Sequence, residues 1–268
     1  MDESSLKYDK HLFAHRGNGQ KPIMQFVNNE WEEAEFVTDD IEKNVADGKH
    51  YRDHMILSRS VYAARKIEAA CISKKIPYIV FGGTTLMRSA HVRDVVSALR
   101  ILANFRDELA WMRYLMLWQG VGEVSASKII EKMFSYASLR ECIDVVKSAK
   151  LKDLAAHELL QKICTLEKRP DAAIDIIVSE LDGIMARKHE NWDARKKDFT
   201  ALKIVAKRAD SISTFITEYI LDPVAELSNV LEKREDKDRI VIKTIHSAKG
   251  LEAEICYITS VTQGMFAY

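Results

Sequence analysis

The stretch Ile240–Ser260 reads IVIKTIHSAKGLEAEICYITS. It begins with the apolar, β-branched run Ile240–Ile242 and reaches a second apolar run at Ile255–Ile258, and each run predicts a buried strand. The loop between them carries hydroxyls, an imidazole, an ammonium group, a glycine and a carboxylate. Because ligands of open α/β sheets bind beyond the carboxyl ends of the strands, this loop predicts a binding site.

Three residues late in this loop suit a nucleotide. Gly250 lets the backbone approach a ligand closely, and Lys249 can act as a point charge for a phosphate. Glu252 can accept hydrogen bonds from hydroxyls such as those of a ribose. A solvated loop between two elements is the alternative that these residues alone leave open.

Residues Thr244–Glu252, TIHSAKGLE, resemble the T-[LI]-H-x-A-K-G-L-E motif of the second RecA-like domain of UvrD/Rep-type superfamily 1 DNA helicases. The resemblance covers most of the chain, but it is uneven. Val61 and His91 stand where the family usually has Asn and Glu. The further matching segments are Met55–Ser60 (MILSRS), Ile76–Gly83 (IPYIVFGG), Gly120–Gly122 (GVG) and Gln263–Phe266 (QGMF).

Composition sets broad limits on the protein class. The 268 residues have a net charge of +0, so any basic surface must be local. The 4 cysteines form no C-x-x-C pair, which indicates free thiols in a reducing cytoplasm rather than a metal site. The sequence shows no signal peptide and no apolar run of membrane-spanning length, so we expect a cytoplasmic protein without a membrane partner.

Two patterns divide the chain. Strands are predicted at Ile23–Val27, Met55–Leu57 and Tyr78–Phe81, with helices between them, and this alternation implies a mostly parallel sheet that residues 240–260 extend. From Thr84 to Arg239 the apolar spacing is helical only. The helices are predicted at Val92–Leu102, Glu108–Leu117, Ser125–Tyr136, Leu154–Cys164, Ala172–Met185 and Lys197–Ile220.

We therefore predict an α/β fold, in which a RecA-like parallel sheet is interrupted by an all-helical insertion subdomain. The sheet is of the P-loop NTPase-like kind, although the chain contains no P-loop. The expected division is a tail at residues 1–21, a discontinuous sheet domain at 22–94 and 238–268, and the insertion at 95–237.

The resemblance also implies roles for individual residues. Glu252, Gly250 and Lys249 would contact ATP. Arg59, Ser60, Thr244 and His246 would contact single-stranded DNA, or would couple it to the ATP site. Gly120, Val121 and Gly122 would offer backbone N–H groups to duplex phosphates at a helix N-terminus. For each residue the alternative is a structural or solvated side chain. A locally basic helical region at residues 187–208 is more readily explained as a solvated face.

Several helicase motifs do not occur in this sequence. It contains no G-x-x-x-x-G-K-[ST] loop, no D-E-x-Q phrase and no late arginine motif. The P-loop lysine and the magnesium ligands are thus expected outside this chain, within an N-terminal RecA-like domain. ATP and Mg²⁺ would be cofactors of the longer protein. By itself the chain is expected to be monomeric, to hold neither cofactor stably, to have no catalytic or metal-ligating residue and to hydrolyse no ATP.

The resemblance favours the C-terminal portion of an ATP-dependent DNA helicase that moves 3′ to 5′, with a role in DNA repair. This portion would form one wall of the ATP cleft and part of the surface for single strands and strand–duplex junctions. Two alternatives remain open. One is a non-catalytic module of similar fold that binds DNA or protein, and the other is part of a RecB/AddA-like helicase–nuclease.

Overall fold

A parallel sheet of four strands carries the loops that were predicted to form the site. In the computed structural model, which describes residues 20–81, 83–133, 135–149, 155–221 and 238–262, the strand order is β2-β3-β1-β4 and every neighbouring pair is parallel. The predicted α/β class with a parallel sheet is confirmed. The strands are β1 (His54–Ser58), β2 (Tyr78–Phe81), β3 (Ile240–Thr244) and β4 (Ile255–Ile258).

The late strand β3 lies in the middle of this sheet, between β1 and β2. Met55 of β1 is opposite Val241 of β3, which is in turn opposite Ile79 of β2. Because the three strands are parallel, their carboxyl ends meet at one edge. The loop that follows β3 is therefore placed in the middle of that edge.

Two helices cover one face of the sheet, α1 (Glu30–Ala46) and α2 (Arg65–Ser73). The Asn29 side chain caps α1 by accepting hydrogen bonds from the N–H groups of Trp31 and Glu32. The chain turns beyond the end of α1 at Gly48, whose φ of 98° favours glycine.

The strand predicted at Ile23–Val27 is wrong. These residues form no strand, and the side chains of Ile23, Met24 and Phe26 are 88%, 78% and 83% exposed. An apolar run becomes a strand when a neighbouring strand supplies hydrogen bonds and a core accepts its side chains, and here neither is present among the described residues.

The middle of the chain is helical, as predicted, and packs around a second core that includes Trp111, Tyr114 and Trp118. The helices at Leu139–Ser148 and Trp192–Lys196 were not predicted. The segment predicted as Ala172–Met185 is two helices, and the one predicted as Lys197–Ile220 is two helices followed by a π-helical turn. The division predicted at residue 94 falls within α3 and stays a prediction. The helices are α3 (Ala90–Ala103), α4 (Glu108–Leu115), α5 (Glu123–Met133), α6 (Leu139–Ser148), α7 (Ala155–Cys164), α8 (Pro170–Glu180), α9 (Asp182–Lys188), α10 (Trp192–Lys196), α11 (Asp198–Ala206) and α12 (Ile212–Phe215), with a π-helical turn at Ile216–Leu221.

Several predicted features lie outside the described residues. They are most of the tail at 1–21, Gly82, the segment at 263–268 and residues 222–237 of the predicted insertion.

Candidate nucleic-acid and nucleotide site

A cleft of about 690 Å³ lies at the carboxyl edge of the sheet. Arg59 and Ser60 follow β1, whereas Thr244 ends β3 and His246 lies just beyond it, and all four line the cleft. The structure therefore brings together the four residues predicted to contact single-stranded DNA, which come from opposite ends of the chain.

The loop after β3 is held in shape by hydrogen bonds of its own. Residues Ile245–Ala248 form a 3₁₀ turn, and the Thr244 side chain caps it by accepting a hydrogen bond from the Ser247 N–H at 3.3 Å. The Ser247 hydroxyl donates in return to the Thr244 carbonyl at 2.9 Å. The hydroxyl of Thr244 thus fixes the turn that presents His246.

Arg59 and His246 join the two loops at the mouth of the cleft. Nη1 of Arg59 lies 3.2 Å from Nδ1 and 3.3 Å from Nε2 of His246, and both residues are exposed. A guanidinium group donates hydrogen bonds and carries a fixed positive charge. The contact therefore places the fixed charge of Arg59 at the opening of the cleft, where an anion can reach it.

Further arginines line the same cleft and were not singled out in the sequence. Arg65 and Arg88 come from either side of β2, and Arg195 of α10 belongs to the helical region judged to be a solvated face. Together with Arg59 they give four guanidinium groups, and the described residues that line the cleft include no carboxylate. A concave surface of one charge sign attracts a polyanion such as a nucleic-acid backbone.

Arg65 differs from the other arginines because its charge is committed to a buried network. Its Nη1 donates to Glu68 at 2.7 Å and its Nη2 to the Ser89 hydroxyl at 3.1 Å. Its Nε lies 3.5 Å from a carboxylate oxygen of Asp198, the first residue of α11, and the same oxygen is 3.1 Å from Nε2 of His91. This network ties the sheet to the helical core directly beneath the cleft.

Glu68 and His91 are the most buried members of this network. Burial raises the pKa of Glu68, and the Arg65 charge together with hydrogen bonds opposes that rise. The Tyr78 hydroxyl donates to its carboxylate at 3.0 Å and the Leu86 N–H at 2.6 Å. The loop from β2 to α3 is thereby anchored at the cleft wall.

The predicted nucleotide residues lie on the other side of the same turn. Lys249, Gly250 and Glu252 are exposed and do not line the cleft. Gly250 has a φ of 82°, and a Cβ added there would meet nothing within 4 Å. Its backbone turn therefore favours glycine, whereas the space around it would admit a side chain.

The GVG turn stands apart from the cleft and leads directly into α5. Gly120 has a φ of 81°, and Gly122 is exposed. Val121 is buried and its N–H donates to the Trp118 carbonyl at 3.2 Å. Any contact of this turn with a phosphate must therefore involve Gly120, Gly122 and the first N–H groups of α5 rather than Val121.

Comparisons with known proteins indicate the family of this chain. The profile of the UvrD-like helicase C-terminal domain matches residues 1–268. The chain is 26% identical to the ATP-dependent DNA helicase PcrA of Staphylococcus aureus, across 100% of this chain and 39% of that protein. It is 24% identical to the probable DNA helicase II homologues of Mycoplasma capricolum (99% of this chain, 39% of that protein) and Rickettsia conorii (99% and 42%).

The chain thus spans about two fifths of the length of these curated relatives. Within the described ranges, no group of three or more histidine, cysteine, aspartate or glutamate side chains is arranged to hold a metal ion. Among the same residues, no helix combines the length and the apolar character needed to cross a membrane.

Proposed function

The chain belongs to the UvrD-like helicase C-terminal domain family, and we propose that it forms the second RecA-like half of an ATP-dependent DNA helicase. The observation that carries this proposal is the cleft in which Arg59, Ser60, Thr244 and His246 meet. Their guanidinium, hydroxyl and imidazole groups suit the phosphates of a single strand, which position a protein without reading sequence.

The loop after β3 gives this half its mechanical role. Thr244 and His246 face the single DNA strand at one end of the loop. Lys249, Gly250 and Glu252 face the nucleotide at the other end. The 3₁₀ turn at Ile245–Ala248 joins the two ends and is fixed by the pair of hydrogen bonds between Thr244 and Ser247. A movement of Glu252 is thereby transmitted to Thr244 and His246, and through them to the DNA strand.

ATP hydrolysis supplies the energy for such shifts and requires charges around the γ-phosphate that the longer protein provides together with Mg²⁺. In this proposal the chain forms one wall of the ATP cleft, and Glu252 binds the ribose. Translocation runs 3′ to 5′, the direction that the resemblance implies. The purified chain alone is expected to show no ATP turnover. Sustained turnover that survives Glu252→Ala would contradict the proposal that the longer protein supplies the charges around the γ-phosphate.

The GVG turn is assigned to the duplex ahead of the strand. Gly120 and Gly122 let a phosphate approach the N-terminus of α5, where unpaired N–H groups and the helix dipole favour an anion. Changing both glycines to valine is expected to weaken binding to a tailed duplex more than binding to a single strand. Equal losses on both DNAs would contradict a duplex role for this turn.

The test of the cleft is fluorescence anisotropy with a labelled duplex that carries a 3′ single-stranded tail, measured across a salt series. Arg59→Ala is expected to weaken binding and to lower the salt slope by about one unit, because one phosphate contact is lost. Arg52→Ala is the matched control, since Arg52 is an exposed arginine that precedes β1 at the opposite edge of the sheet.

Equal binding by these two variants would contradict the cleft as the site of the strand. No binding by the parent chain, even at low salt, would favour the alternative of a protein-interaction module.

A further inference from the structure

A second depression, of about 890 Å³, lies between α3 and α4 and has two unlike walls. The α3 wall carries Arg93, Ser97 and Arg100, spaced four and three residues apart on one stripe of the helix. The α4 wall carries Leu109, Met112 and Met116, again at helical spacing, and Leu109 is 76% exposed. The α3 wall therefore carries two arginines with Val92 and Val96 beside them, and the α4 wall is largely apolar apart from Arg113. We refer to this depression as the α3–α4 groove.

The side chains that line the groove carry more positive than negative charge, although Arg100 is paired with Asp107, whose Oδ2 lies 2.8 Å from the Arg100 Nε. The described residues that line it include four arginines and one lysine, but Asp94 is their single carboxylate. Asp94 is buried, and its carboxylate already has three partners. It accepts a hydrogen bond from Arg113 at 2.6 Å and lies 2.9 Å from the Lys188 ammonium and 3.0 Å from Nε2 of His189. The five cations are Arg88, Arg93, Arg100, Arg113 and Lys188.

The α3–α4 groove is continuous with the cleft at the sheet edge. Arg88 lines both, and it lies in the short segment between β2 and α3. Arg93 follows one turn into α3, and Arg100 follows about 10 Å further along the helix axis, given a rise of about 1.5 Å per residue. A row of arginines thus leads out of the cleft along α3.

We propose that the single DNA strand does not end at the cleft but continues over Arg88 into the α3–α4 groove. The phosphates then lie on Arg93 and Arg100, and the bases lie against Leu109, Met112 and Met116. This inference rests on the proposed function, because the strand reaches the groove from the cleft.

The two walls favour a single strand over other polyanions. Duplex DNA presents phosphates outside and stacked bases inside, so it would leave the apolar wall uncovered. In a single strand the bases are free to turn one way and the phosphates the other. An acidic amphipathic helix of a protein partner also has two unlike faces, but it would have no reason to adjoin the cleft.

The test compares the binding of two oligothymidylates, one of about 6 and one of about 20 nucleotides. These lengths lie near the lower limit and above the upper limit of the single strand that one binding site usually covers. The variant is Arg93→Glu, because Arg93 is exposed and lines the groove but not the cleft. The matched control is Lys43→Glu on α1, which is exposed on the helix layer of the sheet. Arg59→Ala reports on the cleft. Anisotropy titrations follow a check that each variant unfolds at the same urea concentration as the parent.

The expected result is that Arg93→Glu weakens binding of the long oligonucleotide by about tenfold, as charge reversal at a phosphate contact should. It should change binding of the short one by less than about twofold, whereas Arg59→Ala weakens both.

Other outcomes separate the two proposals. If Arg59→Ala weakens both lengths while Arg93→Glu behaves like Lys43→Glu, the groove inference is overturned and the proposed function stands. If Arg59→Ala changes neither length, both are overturned. If Arg93→Glu leaves DNA binding intact but abolishes binding of polyglutamate, the groove serves an acidic protein partner, and the inference is again overturned.

Discussion

Two buried carboxylate clusters meet at α3, which carries His91 of one and Asp94 of the other, and their charge balance is opposite. Beneath the cleft, Glu68 and Asp198 share the single guanidinium of Arg65. Beside the α3–α4 groove, Asp94 alone is contacted by Arg113, Lys188 and His189. The first cluster has more carboxylates than arginines, and the second has more cations than carboxylates.

The surroundings of the cations explain what each cluster does. The Arg65 side chain is 8% exposed, so its charge interacts with buried carboxylates. Burial nevertheless raises the pKa of Glu68. Arg113 and Lys188 are 32% and 44% exposed. Burial works against the ionised form of Asp94, but hydrogen bonds and charges from Lys188, His189 and Arg113 outweigh it and lower the pKa of Asp94. The first cluster holds the fold together, whereas the second fixes cations at a surface.

The largest effect is expected from removing the one arginine of the first cluster. Arg65→Met leaves Glu68 and Asp198 buried without their cation, and breaking a buried pair in this way typically costs about 3–5 kcal/mol. The free energy of unfolding in urea measures the loss. Arg59→Met is the control, because an exposed arginine away from such a network should change stability by less than about 0.5 kcal/mol. Similar losses in the two variants would remove the distinction between the clusters.

A smaller loss is expected at Asp198, which joins α11 to this network. The helicase motif that the chain resembles has Glu where this sequence has His91, and Asp198 places a carboxylate beside His91 and Arg65 instead. Asp198→Asn is expected to cost about 2–3 kcal/mol, because it removes a buried charge that Arg65 and His91 contact.

The combination with His91→Glu sharpens this test. If Asp198 replaces the carboxylate that the family has at position 91, His91→Glu should destabilise the parent but restore at least half of the stability that Asp198→Asn loses. A double-mutant cycle in urea gives the coupling between the two positions. Additive losses would show that the two carboxylates are not interchangeable.

The second cluster should tolerate the same kind of change better. Asp94→Asn leaves Arg113 and Lys188 near water that can solvate them, so the expected loss is about 1–2 kcal/mol. Asp175→Asn is the control, since Asp175 pairs with Lys203 at 2.7 Å but is 62% exposed, and such a pair contributes little. If Asp94→Asn lowered the free energy of unfolding as much as Arg65→Met does, the greater exposure of Arg113 and Lys188 would not protect the second cluster.

The parts of this molecule that were predictable from the sequence are those specified by local pattern. The resemblance named Arg59, Thr244 and His246 as contacts of a DNA strand, and the rule that parallel strands end at one edge explains why the structure brings them together. Arg65 and Asp198 are far apart in the chain, so no local spacing reveals their contact. Leu109 and Met112 likewise have the spacing of an ordinary core face, and packing decides that Leu109 is exposed in the α3–α4 groove. The failed strand at Ile23–Val27 has the same cause, because its apolar pattern lacks a partner that tertiary structure must supply.

The smallest expected effect is the pH dependence of the stability that Asp94→Asn loses. The pKa of Asp94 is lower in the folded chain, whereas the unfolded chain has the ordinary aspartate value of about 3.9. Its stabilising contribution is therefore fully present above the unfolded pKa and is lost as the pH falls through the folded pKa. The difference in unfolding free energy between the parent and Asp94→Asn should be constant above about pH 5 and narrow below about pH 4. Urea titrations across this range, with Asp175→Asn alongside, measure the trend. A gap between the parent and Asp94→Asn that widened on acidification would mean that Arg113, Lys188 and His189 do not favour the ionised form of Asp94, and the contrast with Glu68 would fail.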